Sequence, residues 1–209
     1  MGLTTVFVPQ LQSLSYAVAV CVLLVIEVIR IDIPLLNDFY YTYLDQTKDE
    51  ADDSKFVISH IALVAGCAMP LWIIQYFTFF CPNKNTDHEI NVLVGLWGVW
   101  VLGIGDAMGA IIGKSFGRYK WGSNSRTIEG SMAMFLSLCI SCMITTLYIS
   151  KTTMHADEAQ GVYFVALWLP AVLFVTLIEA FTSQIDNIVL PFAGTAMILI
   201  CRTIINLKK

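Results

Sequence analysis

Charge is what this chain has least of. Of its 209 residues, 13% are charged and 57% are hydrophobic. A soluble domain carries about a quarter charged residues, so a fold wetted on all sides is excluded. The formal net charge of −4 says little, because Asp45, Asp49, Glu50, Asp52 and Asp53 gather in one polar linker that is read as solvated. No nucleic-acid partner is expected. The cysteines lack the company that metal or redox chemistry needs. Cys139 and Cys142 form a C-x-x-C on an apolar run with no second pair or histidine nearby, which favours core packing. Two nucleotide motifs are incomplete. Gly113-Lys114-Ser115 imitates the end of a P-loop and Gly103-x-Gly105 the start of a dinucleotide fingerprint, yet both put Met108 where a glycine is required. Met1 to Gln12 has no basic residue and no small-residue cleavage site comes after it, so no cleavable signal peptide is expected.

Long apolar runs take the place of these features. They fall near 13–29, 57–80, 90–112, 131–150, 162–182 and 187–206, each about the 20 residues that cross a bilayer. Without water to satisfy backbone groups such runs must be helical. The expectation is an all-α polytopic membrane protein of about six transmembrane helices. Residues 1–56 form an N-terminal helix with the acidic linker, and 57–209 form a membrane domain. Glu27 and Arg30 close the first run and read as an interfacial pair whose long side chains reach water. Tyr40, Tyr41 and Tyr43 read as an aromatic belt. Pro70 kinks the second run.

The chain is organised around Gly103 to Gly130, GIGDAMGAIIGKSFGRYKWGSNSRTIEG. Gly105, Gly109, Gly113 and Gly117 recur every four residues, a stripe that lets another helix approach closely. Packing alone does not explain Asp106 beside the stripe, since an ionisable group at membrane depth is costly and therefore a functional candidate. Lys114, Arg118, Lys120 and Arg126 come next. Glycine-loosened backbone N–H groups with fixed positive charge beside them suit phosphate, so the upper glycines are expected to pack and the lower ones to expose backbone. This reads as a nucleotide-phosphate site at a membrane surface. The basic bias of the loops on that side, Arg30, Lys48, Lys55 and the four cations, puts the site in the cytosol. Topology signal or headgroup contact is the plainer explanation of the same charges. Further on, positions 179, 182, 183 and 186 share a face if the helix is continuous, which would aim Glu179, Thr182, Ser183 and Asp186 at one point; polar glue between helices is the alternative.

These residues carry a resemblance. The segment 103–130, with G-x-G-D, the glycine-spaced run, the basic loop containing Trp121 and the ending Thr127-x-Glu129-Gly130, is similar to the cytidine-triphosphate-binding loop of the dolichol kinase family. Glu179 to Asn187 with Leu190-Pro191, and His60 to Trp72 with Pro70, resemble two further segments of that family, so the resemblance covers about residues 55–195. It implies that Gly109, Ala110, Gly113, Lys114, Ser115, Gly117, Arg118, Lys120, Trp121, Gly122, Ser123, Asn124, Ser125 and Arg126 bind CTP. Asp106 and Glu129 are candidate Mg²⁺ ligands, hard cations favouring carboxylate oxygen. Asp106, Glu179 and Asp186 are the candidate catalytic acids, with Glu179, Asp186 and Asn187 toward the lipid hydroxyl. The implied reaction makes dolichyl phosphate from dolichol and CTP in the endoplasmic reticulum membrane, for protein glycosylation. Dolichol kinases are usually much longer, so this chain would correspond to their catalytic part. Kinases of phytol or diacylglycerol share the G-x-G-D and D-N elements. A transporter with an intramembrane carboxylate path is the rival from another class, although transporters often show internal repeats and none is convincing here; an inactive scaffold is the third. The oligomeric state has no signal.

Overall fold

The computed structural model describes residues 9–35, 39, 59–80, 88–122, 126–152, 158–182 and 186–207. Seven α-helices are found there: α1 (Pro9–Asp32), α2 (Ser59–Phe80), α3 (His88–Gly98), α4 (Ala107–Phe116), α5 (Ile128–Thr152), α6 (Glu158–Phe181) and α7 (Asp186–Leu207). Between α3 and α4 the backbone widens into a π-helical segment, Val99–Asp106. No strand occurs among the described residues beyond one isolated antiparallel bridge, Lys120 with Thr127. Five helical stretches are long and apolar enough to cross a membrane, and the apolar part of α6, Val165–Phe181, is a shorter sixth. The protein is an all-α polytopic membrane protein. The acidic linker at 45–53 and the tyrosines at 40–43 lie outside the described residues.

The third span is the axis of the bundle. It runs from Asn91 to Phe116, and an apolar stretch of 18 residues within it is 61% buried, against 17–33% for such stretches of the other four. Leu93, Val94, Trp97 and Val101 are sealed within it. Trp97 stacks on Trp168 of α6 at 5.2 Å, and Trp100 meets the same ring edge-on at 5.5 Å. Gly194 of α7 leaves room for the Trp97 indole, which a Cβ at that position would overlap. Gly98 in turn lies against the backbone of Gly66 and Cys67 in α2, where a Cβ would come within 2.6 Å of the Gly66 carbonyl oxygen. Small residues thus let α2, α3 and α7 close on one another, as membrane helices do when packing rather than water drives association.

The first helix is peripheral and tied on by side chains of α2. Trp72 donates its indole N–H to the Ser13 carbonyl at 3.4 Å, and Gln75 donates to the Pro9 carbonyl at 2.8 Å. Glu27 and Arg30 correct an expectation. They are not an interfacial pair reaching water: both are buried, Arg30 completely, and they form a salt bridge one turn apart on α1. A buried charge needs such a partner to be tolerated.

Candidate functional site

The site is built where α4 leaves the membrane and α5 enters it. Thr127 starts α5, its hydroxyl oxygen accepting the N–H of Gly130 at 3.2 Å, which satisfies one of the orphan donors of a helix start. Glu129 adds an acidic group to that first turn, where the helix dipole favours it. Its carboxylate reaches back and accepts the backbone N–H of Arg118 at 3.0 Å and of Tyr119 at 3.2 Å. The connection between the helices is a short hairpin, closed by Ile128 N–H to the Tyr119 carbonyl at 2.8 Å and Trp121 N–H to the Arg126 carbonyl at 3.0 Å. Gly122 turns it with φ of 57°, a left-handed conformation natural to glycine.

The glycine stripe packs along nearly its whole length. Gly105 meets Leu138, Gly109 and Gly113 meet Gly130, and Gly113 and Gly117 meet Thr127. A Cβ on Gly130 would stand 2.9 Å from the Gly109 carbonyl oxygen, so the two backbones are in direct contact. The lower glycines do not loosen the backbone or present N–H groups to phosphate, as their spacing beside the cations suggests. Residues 113–116 belong to α4, whose N–H groups bond one turn back, and Gly117 N–H donates to the Gly113 carbonyl at 3.1 Å. Close helix approach is what this stripe achieves.

Beside that seam lies a cleft of about 330 Å³. Gly109, Ala110, Gly113 and Lys114 of α4 form one wall; Arg126, Thr127, Gly130 and Ser131 form the back; Glu179 and Thr182 at the end of α6 face them. Glu179 is 5% exposed. It accepts a hydrogen bond from Arg126 Nη1 at 3.0 Å and a weaker one from the Ser131 hydroxyl at 3.4 Å. Ser131 in turn accepts the indole N–H of Trp121 at 3.1 Å, and that ring packs on Phe181 at 5.6 Å. The hairpin is thereby fastened to the end of α6. Sequence patterns do not single out Ser131 and Phe181. Only their places next to Gly130 and two residues after Glu179 could have suggested them.

The four cations separate. Lys114 and Arg126 line the cleft, whereas Arg118 and Lys120 are exposed on the hairpin and do not. Ser115 is exposed on α4, and Gly117, Trp121 and Gly122 also stand outside the lining. Ser123, Asn124 and Ser125 lie outside the described residues, as do Ser183 and the side chain of Asp186. The continuous helix through 179 and 186 is not formed: α6 ends at Phe181 and α7 begins at Asp186. Asn187 is not among the residues lining the cleft, and its backbone carbonyl lies against Gly66 of α2.

Asp106 ends the π segment, half-buried. Gly109, Ala110, Gly113 and Lys114 lie three, four, seven and eight residues further on, so Asp106 shares their helix face one turn before the cleft, although it is not among the residues that line it. Its carboxylate has no hydrogen bond or ion pair among the described residues. That open pair of oxygens fits a hard divalent cation completed by phosphate and water, the usual way Mg²⁺ is held. Glu129 fits less well, since its oxygens are turned onto backbone N–H groups and away from the cleft. Among the described residues no group of three acidic, histidine or cysteine side chains gathers as a metal cage.

The described residues thus form a polytopic helical membrane bundle whose cleft, at the end of the central span, brings Lys114, Arg126 and Glu179 together. Comparison with known proteins narrows this. The chain is 28% identical over 187 residues to dolichol kinase of Homo sapiens, covering 89% of this chain and 33% of that protein. It is 31% identical over 143 residues to dolichol kinase of Mus musculus, covering 68% of this chain and 25% of that one. Dolichol kinase sec59 of Schizosaccharomyces pombe is 28% identical over 190 residues, covering 88% and 33%. Across this shared stretch the chain belongs to the dolichol kinase family. It spans about a third or less of the length of these relatives. No family model matches the chain, and no solved structure matches it.

Proposed function

We propose that this chain carries the phosphoryl-transfer site of a dolichol kinase, moving a phosphate from CTP to the hydroxyl of dolichol at the cytosolic face of the endoplasmic reticulum membrane, for protein glycosylation. The observation that supports it most is the cleft itself. Two cations and a buried carboxylate share about 330 Å³ at the end of a membrane span, in a chain similar to proteins named dolichol kinase.

Phosphoryl transfer asks mainly for positioning and for positive charge on the transferring group. Lys114 is exposed at the cleft wall and offers a mobile ammonium; Arg126 offers a planar fork suited to two phosphate oxygens. Arg126 is paired with Glu179. A triphosphate drawing the guanidinium toward itself would release the Glu179 carboxylate beside Thr182 and Ser131. Glu179 then accepts the proton of a lipid hydroxyl arriving laterally from the bilayer. Glu179 is buried, which limits the access of competing water. Asp106 would hold Mg²⁺, which when bound neutralises charge on the phosphates. Asp186 is a second candidate acid on the lipid side.

The test is transfer of labelled phosphate from CTP or ATP to dolichol, phytol and diacylglycerol by the purified chain in detergent. Transfer from CTP to dolichol, lost in Asp106→Asn and Glu179→Gln, is expected. Transfer only to diacylglycerol or phytol would reassign the acceptor. Failure to bind CTP with Mg²⁺ in both this chain and a longer form would overturn the reading.

A further inference from the structure

On the far side of the glycine seam from the cleft, α4 and α5 enclose a second hollow of about 630 Å³, inside the range of roughly 300–1,000 Å³ typical of ligand sites. Its character is the opposite of the cleft's. Met108 and Ile112 of α4 and Met132, Leu136 and Ile140 of α5 supply an almost wholly apolar lining. It opens sideways, on a face where Met132, Leu136 and Ile140 are each more than half exposed. From Ile128 to Ile140 the groove runs along α5 for about 18 Å at 1.5 Å per residue. That is close to one leaflet, half of a hydrocarbon core of about 30 Å.

The membrane-surface end of the groove is charged. Tyr119, 70% exposed, lines it there, and Arg118 and Lys120 flank Tyr119 in the hairpin. Neither cation forms an ion pair among the described residues. Glu129 lines the same end; its oxygens accept the N–H groups of Arg118 and Tyr119 and its charge attracts Arg118, which holds the hairpin down, while the Arg118 and Lys120 side chains are exposed beside the groove and not part of its lining. A leaflet-deep apolar groove with two exposed cations in the hairpin at its membrane-surface end matches an amphiphile with one anionic end.

We propose that this groove holds a chain of an anionic phospholipid from the surrounding leaflet, its phosphate met by Arg118 and Lys120. Charge decides the class, since exposed basic side chains at a membrane surface attract anionic headgroups. Groove length favours an acyl chain that ends within the leaflet over a long polyprenol. The site would brace the α4–α5 hairpin from the side opposite the cleft, and it stands whether or not the cleft transfers phosphate.

Native mass spectrometry of the full chain, released from detergent with equal phosphatidylserine and phosphatidylcholine and no nucleotide, tests it. Retention of phosphatidylserine at least fivefold over phosphatidylcholine is expected, falling to near parity in Arg118→Gln/Lys120→Gln. Met132→Trp, which fills the groove, should lower retention of both. A second measurement does not depend on that variant folding: a phosphatidylserine with a photoreactive chain should crosslink within 108–112 and 132–140. Equal retention of the two lipids by the unaltered chain would overturn the proposal. So would crosslinks confined to other helices, or displacement of the bound lipid by equimolar uncharged polyprenol.

Discussion

The two halves of the central span invite comparison, because one continuous helix serves two purposes. Its first half, α3 with the π segment, buries Leu93, Val94, Trp97, Trp100, Val101 and Leu102. Its second half, α4, has no buried residue at all, and one of its faces lines the cleft. Both halves contain glycines, with different effects. Gly98 lets α2 against the packed half on the side of Gly66. In the open half, glycine brings α4 against Gly130 and Thr127, which fixes one edge of the cleft and leaves the other edge vacant for Lys114. Burial is concentrated in the half away from the cleft, and a site is best held by such support.

Substitutions can separate the halves, and the largest effect is expected in the packed one. Trp97→Ala should lower stability by about 3–5 kcal/mol, as for other buried aromatics, read by thermal unfolding in detergent. CTP affinity of the folded fraction should be unchanged; a parallel loss would mean that the halves are not separable. Arg126→Gln comes next. It leaves Glu179 buried without its cation and should cost about 1–3 kcal/mol, softened because Arg126 is 30% exposed. Adding Glu179→Gln should restore most of that stability while transfer activity stays absent, a double-variant cycle that tests whether the pair is one unit.

Smaller effects belong to the hairpin and the open half. Gly122→Ala meets no atom within 4 Å, so its cost is the left-handed backbone alone, about 1 kcal/mol, and a larger loss would mean the turn is packed. Lys114→Ala should change stability by less than about 0.5 kcal/mol, as exposed substitutions do. It should weaken CTP binding about tenfold, the worth of one charge-assisted hydrogen bond. Titration calorimetry with CTP and Mg²⁺ reads this, and unchanged affinity would remove Lys114 from the phosphate site.

Much of this architecture is legible in the residues, for reasons that also mark the limits. Apolar runs of about 20 residues have one solution in a bilayer, so the spans can be read directly. Gly109, Ala110, Gly113 and Lys114 share a face by helical spacing, and the structure brings them together with Arg126 and Glu179. The division of the cations is not legible, because it depends on the register of the hairpin from Tyr119 to Ile128. Nor is the engagement of Glu129 with the backbone N–H groups of Arg118 and Tyr119, which the same register decides. Burial of Glu27 and Arg30 is hidden for another reason: a pair one turn apart at a helix end reads the same whether it faces water or protein.

The widened stretch from Val99 to Asp106 sets the angular phase between these halves. Each residue added to or removed from an α-helix rotates the rest of that helix by roughly 100°, and π turns arise as such insertions. Were the same eight residues wound at ordinary α pitch, α4 would be turned about its axis and Lys114 would swing away from Glu179 while Trp97 kept its seat. A helix of the same composition without that widening would be just as greasy, yet Lys114 would face away from Arg126 and Glu179.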